Sequence, residues 1–166
     1  MTLAEVKRHF AYNSWANELV FEVLKRLSVE PYLQDLKGSH GGIHGTITHM
    51  IGVQVVWLSR WRGTPDAALL KAEDVRSLSE VQEVWKKVDA ETTLFLNTLS
   101  DAKLQETITV RTGDGRVFTN SYAEMMRHLI NHSSYHRGQI ATMLRQLGYK
   151  PAGTDLITFY RQQTQG

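Results

Sequence analysis

No cysteine occurs among the 166 residues. That removes disulfides, thiolate metal ligands and a cysteine nucleophile together, so any thiol chemistry must draw its thiol from outside the chain. It accords with a reducing compartment, and a cytoplasmic location is expected. Proline is scarce. Pro31, Pro65 and Pro151 are the only three, and each falls between long periodic segments, where it does a helix no damage. No apolar run approaches the roughly 20 residues of a membrane span. The opening MTLAEVKRHF lacks a continuous apolar core and reads as the first turns of a folded helix, not a signal peptide. Neither sign of charge dominates: 19 basic and 17 acidic side chains leave +2. With no basic block, neither nucleic acid nor a membrane surface is an expected partner. Hydrophobic residues make up 42% of the chain, too many for a disordered segment at so low a net charge.

Helical periodicity fills most of the chain. The length suits one domain, expected over 1–166. Apolar residues recur at helical spacing over 2–28, 40–62, 79–99 and 121–147. Thr2 with Glu5, Ser79 with Gln82 and Ser121 with Glu124 are three candidate capping boxes. Residues 107–111 and 116–119 are rich in β-formers around a turn, which predicts a small hairpin. The tail, 154–163, has room for one more short turn. Four amphipathic segments predict an all-α four-helix bundle. The connection over 63–78 is long enough to run the length of a bundle, which would make its second and third helices parallel.

The fourth segment carries polar groups where its core should be. At about 100° per residue, Met125, Leu129, His132, His136, Ile140, Met143 and Leu147 share one stripe. An imidazole pair at i and i+4 can present two nitrogens to one metal ion. Gln139 borders the same region. Burying two imidazole edges without partners would cost on the order of 1–3 kcal/mol each, and a shared cation resolves both. The remaining histidines are His9, His40, His44, His49 and His128. His128 lies on the same helix as the pair, and one straight helix surrounds an ion poorly. His40 and His44 sit at a glycine-rich helix start, with His44 facing away from the stripe. Geometry leaves His49 and His9 as third ligands, with His49 ahead and His9 read as a core or supporting histidine. Glu-x-x-His, HExxH, GxSxG, P-loop and dinucleotide patterns are absent.

The string Asn131-His132-Ser133-Ser134-Tyr135-His136-Arg137-Gly138-Gln139 resembles the signature of the DinB family, within the DinB/YfiT-like superfamily. Three further stretches resemble it in order: Tyr12-Asn13-Ser14-Trp15-Ala16-Asn17, His49-Met50-Ile51-Gly52 with Trp57 and Arg60, and Leu147-Gly148-Tyr149 with Asp155 and Tyr160. The resemblance covers nearly the whole chain. It implies an up-down-down-up four-helix bundle and one divalent metal held by His49, His132 and His136, and homodimers are frequent among members. It further implies kinship with thiol-dependent enzymes, and no DNA binding.

The expected function is therefore a divalent-metal-binding protein with a three-histidine site, acting as a metal-dependent transferase that uses a low-molecular-weight thiol. The alternatives are a non-catalytic metal-binding stress-response protein and a metal-water hydrolase. Imidazole sites accept zinc, nickel or iron according to availability. Asn13 and Gln139 are the candidates for positioning a substrate or a ligand, with Tyr135 and Arg60 behind them.

Overall fold

The computed structural model describes residues 1–64, 67–111 and 115–164. Its elements, in order, are α1 (Leu3–Leu24), α2 (Val29–Leu33), α3 (Ile43–Trp61), α4 (Leu78–Asn97), α5 (Asp101–Gln105), β1 (Thr107–Arg111), β2 (Val117–Ser121), α6 (Tyr122–Gln146) and α7 (Leu156–Gln163). The chain is thus mostly helical, with an antiparallel hairpin between α5 and α6.

Three long helices start on reciprocal capping boxes. Thr2 and Glu5 open α1, and Ser121 and Glu124 open α6, as the sequence predicts. The box of α4 is Ser77 with Glu80, two residues before the expected Ser79 and Gln82. A carboxylate at the third helical position accepts the cap N–H and also meets the positive helix end, an advantage a glutamine lacks. The five-residue helices α2 and α5 were not expected, and the tail forms eight helical residues where one turn was expected.

One hydrophobic core joins the long helices. Phe21 of α1 stacks on Trp85 of α4, ring centroids 4.9 Å apart. Trp61 of α3 meets Phe10 of α1 edge-on at 6.0 Å and Phe95 of α4 face-on at 6.3 Å. The start of α6 is tied to the end of α3 by the Tyr122 hydroxyl, which donates to the Trp61 carbonyl. Between α1 and α6 lies Arg137, buried and surrounded by neutral oxygens. Its guanidinium donates to Asn13 Oδ1 (2.7 Å), Asn17 Oδ1 (2.8 Å), Ser134 Oγ (2.8 Å) and Tyr12 Oη (3.3 Å). Tyr12 Oη in turn donates to the Thr154 carbonyl, and Phe159 of α7 packs on Tyr12 and Trp15.

The hairpin pairs Thr107 with Ser121 through Arg111 with Val117. Its faces are mostly exposed, and it is fastened where Tyr122 N–H donates to the Glu106 carbonyl. Part of the expected turn, 112–114, lies outside the described residues. Among the described residues, no helix is long and apolar enough to cross a membrane.

Candidate metal centre

Helices α3 and α6 face each other along their middles, and histidines stand at that contact. His132 and His136 occupy successive turns of α6, so their rings lie on one face. From α3, His49 points into the same space. His49 Nε2 is 3.3 Å from His132 Nε2, and His136 Nε2 is 3.0 Å from His132 Nε2. The three rings are mutually inclined: 54° between His49 and His132, 67° between His132 and His136, and 72° between His49 and His136. An imidazole lone pair lies in its ring plane, so inclined planes can meet at one point.

Gln139 sets the tautomer. His136 Nδ1–H donates to Gln139 Oε1 at 2.7 Å, which leaves Nε2 of that ring a bare lone pair. The proton inventory then falls short. If His132 Nε2 carries a proton, it can satisfy one neighbour only. If it does not, it can accept from His49 only where that ring carries its proton on Nε2, and the His136 lone pair is still left facing a nitrogen without a donor. Either way His132 Nδ1 is buried without a partner among the described residues. A cation at the shared focus satisfies all three Nε2 atoms. Donors about 2.0–2.1 Å from one ion stand about 2.8–3.4 Å apart across angles of 90–110°, and the separations of His132 from His49 and from His136 fall there. This donor set fits a divalent ion of borderline softness.

All of these rings are held neutral, the form that ligates. Burial pushes His49 down to about 4, with His40 and His136 adding repulsion. Burial pushes His132 down to about 3, with His136 and His49 the next contributors. His136 is lowered by burial and partly restored by Gln139. His40 is lowered by burial.

His40 belongs to the same cluster. Together with His49 and His136 it offers ring nitrogens within 4.8 Å of one another, a group that could hold a metal ion. Its ring stacks on His49 with centroids 3.8 Å apart and planes 16° from parallel. His40 precedes α3, where helical periodicity says nothing about which way a side chain faces. The signal was the run Gly38-Ser39-His40-Gly41-Gly42, which is a close-packed turn.

The other histidines are accounted for. His9 Nε2 meets the Tyr160 hydroxyl at 3.1 Å. His44 bridges the Tyr32 hydroxyl and the Ala72 carbonyl. His128, one turn before His132, has its ring centroid 5.8 Å from that of His132 and 5.6 Å from that of Trp57. Of the two positioning candidates, Gln139 touches the cluster. Asn13 spends its carbonyl on Arg137, and its Nδ2 is buried without a partner.

Beside His132 a cleft of about 510 Å³ opens between α3, α6 and the segment before α4. Val53, Val56, Trp57, Leu69 and His128 form most of its wall.

Comparison with known proteins agrees with this architecture. Protein DinB of Bacillus subtilis (strain 168) is 29% identical over 153 residues, covering 88% of each chain. The uncharacterized protein YizA of the same organism is 27% identical over 150 residues, covering 90% of this chain and 92% of that one. The crystal structure of a DinB-like protein from Bacillus cereus ATCC 10987 superposes with a TM-score of 0.61. It covers 84% of this chain and 92% of its own at 22% identity, a likeness of fold. Residues 3–166 match the DinB family from one end to the other, and the chain belongs to that family.

Proposed function

We propose that the chain is a divalent-metal protein in which His49, His132 and His136 are the ligands, and that it catalyses transfer involving a low-molecular-weight thiol. The observation carrying the metal reading is that the Nε2 atom of His132 stands 3.0 Å from that of His136 and 3.3 Å from that of His49, with His136 Nε2 left unprotonated because its Nδ1–H donates to Gln139. Ring inclination favours this set over one containing His40, since rings stacked as nearly parallel as His40 and His49 cannot both aim an in-plane lone pair squarely at one ion. Zinc, nickel and iron all suit such donors.

When bound, a divalent ion with three neutral nitrogen ligands and an open position supplies a nucleophile at neutral pH, either a deprotonated thiol or an activated water. The rest is done by the chain. Gln139 orients His136, and the helix spacing aligns His132 with it. Val53, Val56, Trp57 and Leu69 give the adjacent cleft an apolar wall suited to a hydrophobic electrophile. With no cysteine of its own, the chain must take its thiol from solution. A metal-water hydrolase and a non-catalytic metal-binding stress-response protein are the competing readings.

We further propose a single up-down-down-up four-helix bundle in a cytoplasmic homodimer. Contacts at matching ends support the helix order. His44 in the first turn of α3 meets Ala72 of the segment leading into α4, and Arg62 just past the end of α3 meets Glu91 in the second half of α4, as in a parallel pair. Trp61 meets Tyr122, and His49 meets His132 and His136, as in an antiparallel pair.

Elemental analysis of the untagged protein tests the ligand set. One ion per chain is expected, falling sharply in each of His49→Ala, His132→Ala and His136→Ala. Full metal in both α6 variants would reject the assignment. The loaded protein is then assayed with bacillithiol, mycothiol, glutathione, cysteine and coenzyme A against model electrophiles. Turnover that survives chelation would reject the metal-dependent mechanism. Silence with every thiol would favour one of the competing readings.

A further inference from the structure

The segment before α3 reads Gly38-Ser39-His40-Gly41-Gly42-Ile43-His44-Gly45, and its glycines have one joint effect. Gly38 and Gly41 exchange both backbone hydrogen bonds, at 2.8 and 3.0 Å, and Leu36 N–H donates to the Gly41 carbonyl as well. This closes a tight turn with His40 at its tip. Gly41 has φ +77°, which a side chain would resist. A Cβ built at Gly45 would overlap the carbonyl oxygen of His40. The bare Cα of Gly45 therefore lets the His40 backbone lie against the first turn of α3, one turn ahead of His49. The stack of His40 on His49 follows from that approach.

The ring so placed is not spent on the protein. Among the described residues neither ring nitrogen of His40 makes a hydrogen bond, while its contacts are the stack on His49 and an edge-on meeting with His136 at 5.4 Å. It is half-buried, within 4.8 Å of nitrogens on both of those histidines. Two rings stacked this nearly parallel cannot both aim an in-plane lone pair squarely at one ion, so His40 is the odd member beside His49. A turn fixed this tightly would be excessive for a packing residue, and a purely apolar ring would stack as well.

We propose that His40 serves the metal site without ligating it: it is a positioning residue that hydrogen-bonds a small exogenous ligand with an acceptor atom, an anionic oxygen, nitrogen or sulfur, entering beside the three nitrogens. This rests on the metal reading given above.

The test uses the Co²⁺-loaded full chain with azide as the probe, read by the visible absorption of the ion. Three variants are compared with the parent. His40→Phe keeps the aromatic stack and removes the hydrogen-bonding nitrogens. His40→Gln restores a donor. Gly45→Ala leaves His40 intact but pushes its backbone off α3. All are expected to bind one Co²⁺ per chain. Azide affinity is expected to fall about tenfold in His40→Phe and in Gly45→Ala, the factor for a lost hydrogen bond to a charged group, and to recover in part in His40→Gln. Unchanged azide affinity in His40→Phe would reduce His40 to a packing residue. Loss of Co²⁺ in that variant, with the others' metal retained, would make it a ligand. Either result overturns the proposal. If the parent chain itself binds no Co²⁺, the metal reading fails first and this inference falls with it.

Discussion

His136 Nδ1–H donates to Gln139 Oε1, 2.7 Å away and one turn further along the same helix. A ligand histidine held by a fixed outer partner keeps its tautomer and ring angle, and loss of such a partner typically costs 10–100-fold in metal affinity. Gln139→Leu is therefore expected to lower affinity about 10- to 100-fold with the helical content intact. Gln139→Glu, which still accepts from Nδ1–H, should hold affinity or raise it. Competition against a chromophoric chelator measures both. Equal affinity in Gln139→Leu would mean that the ring is fixed by packing alone.

Stability of the metal-free protein should depend on these imidazoles in a particular window. Unfolded, they titrate near 6.5. Folded, His49 and His132 are pushed down to about 4 and about 3. Above about pH 6.5 both states are neutral and the stability is complete. As the pH falls below that, the unfolded chain gains protons that the folded one refuses, and stability declines until the folded rings protonate too. Urea midpoints should drop between pH 7 and pH 4, and His132→Phe should flatten the profile. The buried carboxyl of Asp89, raised by burial and hydrogen-bonded to Ser14, acts in the opposite direction nearer its own ordinary range. A flat profile from pH 7 to 4 in the metal-free parent would contradict the burial argument.

Arg137 is a buried cation that no carboxylate neutralises among the described residues. Four neutral oxygens on α1 and α6 receive its protons, and burial lowers its pKa. Arg137→Met would leave the Asn13 and Asn17 carbonyls buried without donors. The expected loss is about 3 kcal/mol, or a melting temperature lower by about 6–12 °C. Arg62 offers the contrast. Its ion pair with Glu91 is 2.7 Å long but lies at the surface, with about a third of each side chain still in solvent, so Arg62→Ala should cost no more than about 1 kcal/mol. Calorimetry on the two variants decides whether the network or mere charge is what matters at Arg137.

The elements that were legible in advance are those whose signal is local. The 3.6-residue period gave α1, α3, α4 and α6 to within a few residues, capping boxes marked the starts of α1 and α6, and β-formers around a turn gave the hairpin. The His132–His136 pair was visible because a helix places i and i+4 together. His49 could be ranked only against His9, since which helices face each other is a long-range property. His40 and Arg137 were illegible for separate reasons. The position of His40 depends on a turn closing on α3 at Gly45. Arg137 reads as a surface cation until Asn13 and Asn17 arrive from another helix. The five-residue α2 and α5 are too short for periodicity to register.

Gly138 stands exposed in the middle of α6, and among the described residues nothing lies within 4 Å of where its Cβ would be. A glycine inside a helix costs about 1 kcal/mol relative to alanine, and no contact among the described residues accounts for it. Tyr135, three residues earlier on the same side, leaves 63% of its surface in solvent. A second copy of the chain approaching this face closely would account for both. Light scattering is accordingly expected to give about twice the 18.9 kDa of one chain. Gly138→Ala should separate the two terms: it adds about 1 kcal/mol to the helix and weakens the association by placing a methyl in the contact. A variant that melts higher and dissociates at lower dilution than the parent satisfies both. A parent mass near that of one chain at micromolar concentration would remove the dimer, and a Gly138→Ala dimer of undiminished affinity would move its interface off this face of α6.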